Sequence, residues 1–252
     1  KAFGDAGSKI LVEEFLEGEE TSLFVISDGE NFVCLPAAQD HKRIGDNDSG
    51  KNTGGMGAYA PAEIVTDELL KVIEDSIVKP TLYGMKKIGK PFAGCLFCGL
   101  ILTKGGPKVI EFNARFGDPE TQTVLNVMDG DFLELLYSAA KGKINKESVK
   151  YNGGASVCVV TASEGYPDEY QTGYEIFGLD HLKDMSVHVC HAGTQLKEGT
   201  IFSNGGRVLG VTSFVTDKNY EEAIQLAYRG VAKIHYENIY FRTDIGKRAL
   251  KM

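Results

Sequence analysis

Two periodicities alternate along the chain and divide it into short strands, a few helices and one long polar loop. Residues 10–16 form an apolar run with the length of a strand, and the runs at 21–27 and 31–35 flank Asp28-Gly29, a tight hairpin signal. Residues 38–58 are polar and glycine-rich, far longer than an ordinary connection of roughly 4–6 residues, which marks a functional loop. Thr66 is placed to cap a helix whose first turn carries Asp67 and Glu68. Leu69, Leu70, Ile73, Ile77 and Met85 continue it at helical spacing, with Pro80 expected to kink or divide it.

The run 93–103 reads as a buried strand, turned by Lys104-Gly105-Gly106-Pro107 into a second strand over 108–113. Helical patterns follow at 120–128 and 131–141, then a lysine-rich polar stretch over 141–151 that suggests a domain boundary. Strand-like runs at 155–162, 185–191 and 206–216 and a helix over 219–235 complete the pattern. The expectation is an α+β chain of two units, 1–145 and 146–252.

Composition narrows the function classes. The 252 residues are 42% hydrophobic and 25% charged, and no run approaches the roughly 18 apolar residues that cross a membrane. The start, Lys1-Ala2-Phe3-Gly4-Asp5-Ala6-Gly7, has neither a signal pattern nor an initiator Met and reads like the middle of a larger protein. A formal net charge of −8 argues against a broad grip on nucleic acid, though not against a local basic site for a small phosphate. Five cysteines, mostly in apolar runs, point to reduced thiols and a cytoplasmic setting. Cys95 and Cys98 have CxxC spacing without a second pair and read as core; His188 and His191 fall on opposite faces of a strand and read as structural.

Glu111 and Asn113 carry the most specific chemistry. Two apart on a strand, they share a face about 6.5–7 Å apart, with Ile110 and Phe112 on the other. A carboxylate and an amide so placed can converge on magnesium, although the same spacing also occurs on solvated faces. The turn Phe116-Gly117-Asp118-Pro119 places Arg115, Asp118 and Glu120 near the strand's end. Arg115 there suits charge on a transferred phosphoryl group, or braces the turn through Asp118. Asp40-His41-Lys42-Arg43 sets two cations beside a candidate acid–base histidine, and Gly54, Gly55 and Gly57 after Asn52 offer bare backbone N–H groups to an anion.

The segment 111–122, Glu-Phe-Asn-Ala-Arg-Phe-Gly-Asp-Pro-Glu-Thr-Gln, resembles the signature of the phosphoribosylamine–glycine ligase family of the ATP-grasp superfamily. Gln39-Asp40-His41-Lys42-Arg43, the 52–59 segment Asn-Thr-Gly-Gly-Met-Gly-Ala-Tyr, residues 12–20 and Asp244-Ile245-Gly246 resemble that family in the same order. The resemblance implies the C-terminal part of an ATP-grasp fold, an antiparallel sheet with helices, followed by a small mixed α/β domain. It implies ATP and magnesium or manganese as cofactors, glycine and 5-phosphoribosylamine as substrates, and a glycyl phosphate intermediate. Backbone groups of Glu14, Phe15 and Leu16 would then meet adenine, Glu13 its amine or the lobe interface, and Glu20 the ribose. Asp40 to Arg43, with Asn52, Gly54, Gly55, Gly57 and Glu120, would hold substrate; Glu111 and Asn113 the metal; Arg115 and Asp118 would act in catalysis. Gly205-Gly206-Arg207 also resembles a family segment and reads as a turn, the alternative being that it lines the rim of the site.

Many ATP-grasp relatives carry a further acidic metal ligand on the preceding strand, where 96–100 here has no carboxylate. Family members begin with a Rossmann-like domain and a small lobe bearing a phosphate loop, neither of which precedes Lys1. The expectation is therefore a fragment that is inactive alone, from a parent that in some relatives is fused to other purine-pathway domains. The competing reading is a non-catalytic nucleotide- or partner-binding module of the same fold.

Overall fold

The computed structural model describes residue 4 and residues 8–251; the opening stretch read for a signal pattern lies, Gly4 apart, outside them. Strand β1 (Glu19–Asp28) turns through 29–31 into β2 (Phe32–Cys34), as the Asp28-Gly29 signal requires. The long loop then contains β3 (Gln39–Asp40), a ribbon of β4 (Arg43–Gly45) and β5 (Ser49–Asn52), and β6 (Gly57–Ala60). Helices α1 (Asp67–Ile73) and α2 (Lys79–Lys87) follow, then β7 (Ala93–Thr103) and β8 (Gly106–Asn113). Next come α3 (Glu120–Val124), β9 (Met128–Gly130), α4 (Phe132–Ala140) and β10 (Val149–Tyr151). The last part holds β11 (Ala155–Ser163), β12 (Val187–His191), β13 (Thr194–Lys197), β14 (Thr200–Ser203), β15 (Arg207–Val215), α5 (Tyr220–Val231) and β16 (Ile239–Tyr240).

Local chemistry explains most boundaries. Thr66 accepts a hydrogen bond from the Leu69 N–H at 3.3 Å, satisfying one of the free donors that open α1. A π-helical turn over 74–78 separates α1 from α2 and places Pro80 in the first turn of α2, where its missing N–H costs nothing. Asp131 and Asn219 cap α4 and α5 in the same way as Thr66.

Two antiparallel sheets form the frame. The first has the order β2-β1-β7-β8. On β1, Leu23 and Val25 pack toward α1 and α2, while Phe24 and Ile26 pack toward α4, so both faces are covered and 23–26 reads as an unbroken apolar run. The second sheet runs β12-β15-β11-β6-β3, with β16 beside β11, and α5 covers one face. Its strands β3 and β6 come from the long loop of the first half, so residues 39–60 leave the first sheet and close the second. That crossing brings the loop motifs to the seam between the sheets.

One sequence expectation fails here. Residues 10–16 have the composition of a strand but pair with nothing in a sheet, and Ile10, Leu11, Val12 and Phe15 stand largely exposed. A strand needs a partner for its N–H and C=O groups, and among the described residues none lies alongside. All five cysteines are free; burial pushes the thiols of Cys95, Cys98 and Cys158 up to about 12, which leaves them unreactive. Among the described residues no helix is long and apolar enough to cross a membrane.

Candidate functional site

Three polar cavities adjoin along the seam and share lining residues. The first, about 390 Å³, is walled by residues 13–16 and by Ile101, Lys108, Val109 and Ile110 of the first sheet, with Glu20 at its edge. Lys108 Nζ lies 2.5 Å from Glu14, which ties the irregular segment to β8. The second, about 330 Å³, runs from Glu19 and Glu20 to Asp40, Lys42, Arg43 and Asn52. The third, about 390 Å³, gathers Asp40, Lys42, Asn52 and Gly54 from the loop against Glu111, Arg115, Asp118 and Glu120.

Strand geometry sets the third cavity. Asn113 pairs with Phe97, Phe112 with Cys98 and Glu111 with Gly99, without interruption, so Glu111 and Asn113 project from the same side of β8. The register slips just beyond, between Gly99 and Leu100, leaving Ile110 bulged. The expectation that Ile110 and Phe112 turn away together does not hold: the bulge re-aims Ile110, which lines both the first and third cavities. Glu111 faces the third cavity, while the Asn113 Nδ2 is buried without a partner. The Glu111 carboxylate suits a hard cation completed by phosphate oxygens, whereas the orphaned Asn113 atom is an N–H donor, so Asn113 could serve a cation only through Oδ1, and it lines none of the three cavities. Among the described residues no three His, Cys, Asp or Glu side chains cluster for a metal held by protein alone.

Electrostatics differ sharply between neighbours. Lys42 Nζ lies 2.8 Å from Glu20 Oε2; burial opposes its charge, but Glu20, Asp40 and Glu111 together hold the ammonium above its ordinary range. Ser22 Oγ donates to Glu120 Oε1 at 2.9 Å, yet burial still raises the Glu120 carboxyl. Asp40 is pushed well above the usual carboxylate range by burial and by the charge of Glu120, and its Oδ1 has no partner.

Several expected contacts are corrected. His41 is enclosed behind the loop against Tyr59, with Nδ1 3.3 Å from the Gly57 carbonyl, and lines none of the three cavities. Burial and the charges of Arg248 and Arg242 press its pKa down to about 3, so it stays neutral. Gly57 serves the sheet: a Cβ there would sit 2.5 Å from the Cys158 carbonyl oxygen and 2.7 Å from Ile245. Gly55 likewise sits behind the cavity wall, between Asp40 and Pro119. Arg43 folds back to donate to the Gly50 carbonyl at 2.8 Å, while still edging the second cavity. Arg115 donates to the Phe116 carbonyl at 3.0 Å and makes no ion pair with Asp118.

Sequence reasoning missed Arg248 and Arg242 near the end of the chain, and it gave Arg207 only a turn or a place at the rim, with no partner. Arg248 lines the second cavity and pairs with Asp48. Arg207 pairs with Asp118 at 3.2 Å. Fully buried Arg242 reaches Asp48 at 3.2 Å and Asp244 at 2.7 Å, fastening the loop to the tail. A lone arginine carries no sequence signal for such distant partners; only the Asp244-Ile245-Gly246 resemblance hinted at the tail.

Known proteins resemble this chain along nearly its whole length. The family model described as phosphoribosylglycinamide synthetase, ATP-grasp (A) domain, matches residues 1–121, and its C-domain counterpart matches residues 156–248. A phosphoribosylamine–glycine ligase of Leptospira interrogans is 46% identical over 99% of this chain and 58% of that protein. The trifunctional purine biosynthetic protein adenosine-3 of Gallus gallus is 47% identical over 99% of this chain and 25% of its own length. The crystal structure of the Thermotoga maritima phosphoribosylamine–glycine ligase superposes with TM-score 0.80 at 36% identity, covering 92% of this chain and 56% of that one. The biotin carboxylase subunit of pyruvate carboxylase, at 16% identity and TM-score 0.62 over 90% of this chain and 48% of that one, shares the fold. The chain thus spans little more than half the length of the Leptospira and Thermotoga ligases.

Proposed function

Because the chain belongs to the phosphoribosylglycinamide synthetase family, we propose that it carries the metal-bearing and amine-binding surfaces of an ATP-dependent ligase that joins glycine to 5-phosphoribosylamine. One observation supports this above the rest: Glu111 and Arg115 face Asp40, Lys42 and Asn52 across a single cavity. A phosphoryl-transfer end and an amine-binding end then lie within one cavity, as a two-step ligation requires.

In this reading adenine and ribose occupy the first cavity, along 13–16 and Glu20, and the γ-phosphate extends toward Glu111. Glu111 and Asn113 would hold magnesium or manganese, which when bound neutralises charge on the phosphate oxygens. Arg115 steadies the phosphoryl group as its bond to ADP breaks and a bond to the glycine carboxylate forms. Asp118 holds the turn that carries Arg115. Lys42 and Asn52, with Asp40 and Glu120 behind them, orient phosphoribosylamine so that its nitrogen attacks the glycyl carbonyl. The carbon–oxygen bond to phosphate breaks with its electron pair leaving on phosphate, the nitrogen gives a proton to the departing phosphate or to solvent, and the amide remains. No enzyme nucleophile takes part.

The proposed units, 1–145 and 146–252, are divisions of sequence order, since β6 crosses between them in space. Free, unreactive thiols favour a cytoplasmic setting. The test is phosphate release from ATP by the full-length protein given glycine and freshly made phosphoribosylamine. Both substrates should be required, and Glu111→Ala should cut the rate by about a hundredfold or more. Undiminished release in that variant rejects the metal assignment, and release indifferent to the amine rejects the ligase.

A further inference from the structure

We propose that Arg207 is a positioning residue for this site, a cationic clamp that sets the distance between the amine-side loop and the turn carrying Arg115. The proposal rests on the ligase reading for its substrates, though not for its geometry. The guanidinium Nη1 donates to the carbonyls of Gly54 at 2.8 Å, Gly55 at 3.3 Å and Asp118 at 2.8 Å, and Nη2 donates to Asp118 Oδ2 at 3.2 Å. Three carbonyl dipoles and a carboxylate therefore converge on one cation, from segments more than 60 residues apart in sequence.

The anchor is rigid and the contact is close. Arg207 opens β15, pairs with Ala162 of β11, and its carbonyl accepts from the Gly193 N–H at 2.9 Å. The Gly54 backbone lies directly against the guanidinium: a Cβ there would stand 3.0 Å from Cζ and Nη2. The other side of the same loop is held by Tyr166, whose hydroxyl accepts from the Gly54 N–H at 2.9 Å. Arg207 itself lines none of the three cavities, whereas Gly54 and Asp118 both line the third. Its influence on chemistry thus passes through those two residues to the third cavity, where glycine and the amine would meet, and not to the nucleotide pocket along 13–16.

Removing the cation leaves the carbonyls facing one another without a donor, and the loop swings away from the turn. In the full-length protein, Arg207→Met should raise KM for phosphoribosylamine or glycine about tenfold or more while KM for ATP stays within about twofold. Arg207→Lys, which keeps a charge and three donors, should recover part of the loss. Hydrogen exchange on the same variants gives a readout independent of turnover. Amides of 53–56 should exchange faster in Arg207→Met, with those of 157–161 in β11 unchanged as the check on folding. Unchanged exchange at 53–56 overturns the clamp, as does a KM for ATP that rises in step with the others, or a lysine variant no better than methionine. Should the wild-type protein show no ligation, the ligase reading fails while the exchange measurement still decides the clamp.

Discussion

Lys42 Nζ sits 2.8 Å from Glu20 Oε2, joining the polar loop to the first residues of β1 where the nucleotide-side and amine-side cavities meet. Gln39 reinforces the junction by donating to the Glu20 carbonyl at 2.8 Å, and its own amide oxygen accepts from the Tyr59 hydroxyl. The pair is half exposed, so its worth to folding is small; its worth to function lies in fixing a cation between two ligands.

Lys42→Met should therefore leave thermal stability nearly unchanged and raise KM for phosphoribosylamine about tenfold. Glu20→Gln should weaken ATP binding and loosen Lys42 together. Steady-state kinetics varying each substrate in turn separates the two; equal effects of Lys42→Met on ATP and the amine would place the lysine elsewhere in the mechanism.

Asp40 predicts a pH signature. Burial and the charge of Glu120 raise its folded-state pKa, so the folded protein holds a proton that the unfolded chain has released. Its stabilising share is present below the unfolded carboxylate pKa and is lost as pH rises through the folded value. Asp40→Asn should accordingly raise Tm at about pH 8, by about 2–6 °C, and change it little at about pH 4. His41 works in the opposite sense: buried neutral with a pKa of about 3, it removes stability as pH falls below its unfolded value of 6.5. The difference between wild type and variant across pH, not either curve alone, is the measurement, and a gain independent of pH would contradict the assignment.

Arg242 is the costliest single charge to disturb. Fully buried, it donates to Asp244, to Asp48 and, at 2.9 Å, to the Arg43 carbonyl. Arg242→Met should lower stability by about 3 kcal/mol, or roughly 6–12 °C in Tm, because it takes the cation from Asp244, leaves Asp48 with Arg248 alone and frees the β4-β5 ribbon. Thermal denaturation checks it; a shift under about 2 °C would mean that the ribbon is held without the tail.

Elements defined by their own residues were legible before any coordinates. The span of β7, the Thr66 cap, the Asp28-Gly29 turn, α4 and the shared face of Glu111 and Asn113 all follow from spacing within a dozen residues, where backbone geometry alone decides which side chains are neighbours. The family resemblance likewise rested on contiguous motifs. What lay beyond was every relation between distant segments. Residues 10–16 have the composition of a strand but no ladder, because pairing needs a partner that composition does not name. His41 and Lys42 are adjacent in sequence, yet one is sealed against Tyr59 and the other faces the cavities, since β3 joins a sheet whose strands β11 and β15 lie over 100 residues away. Arg207 and Arg248 reach the site for the same reason. Sequence by itself determined the elements and the chemical kinds of residue they carry; tertiary structure decided which of those residues meet, because burial and long-range pairing depend on how the two sheets pack, and local periodicity is blind to that packing.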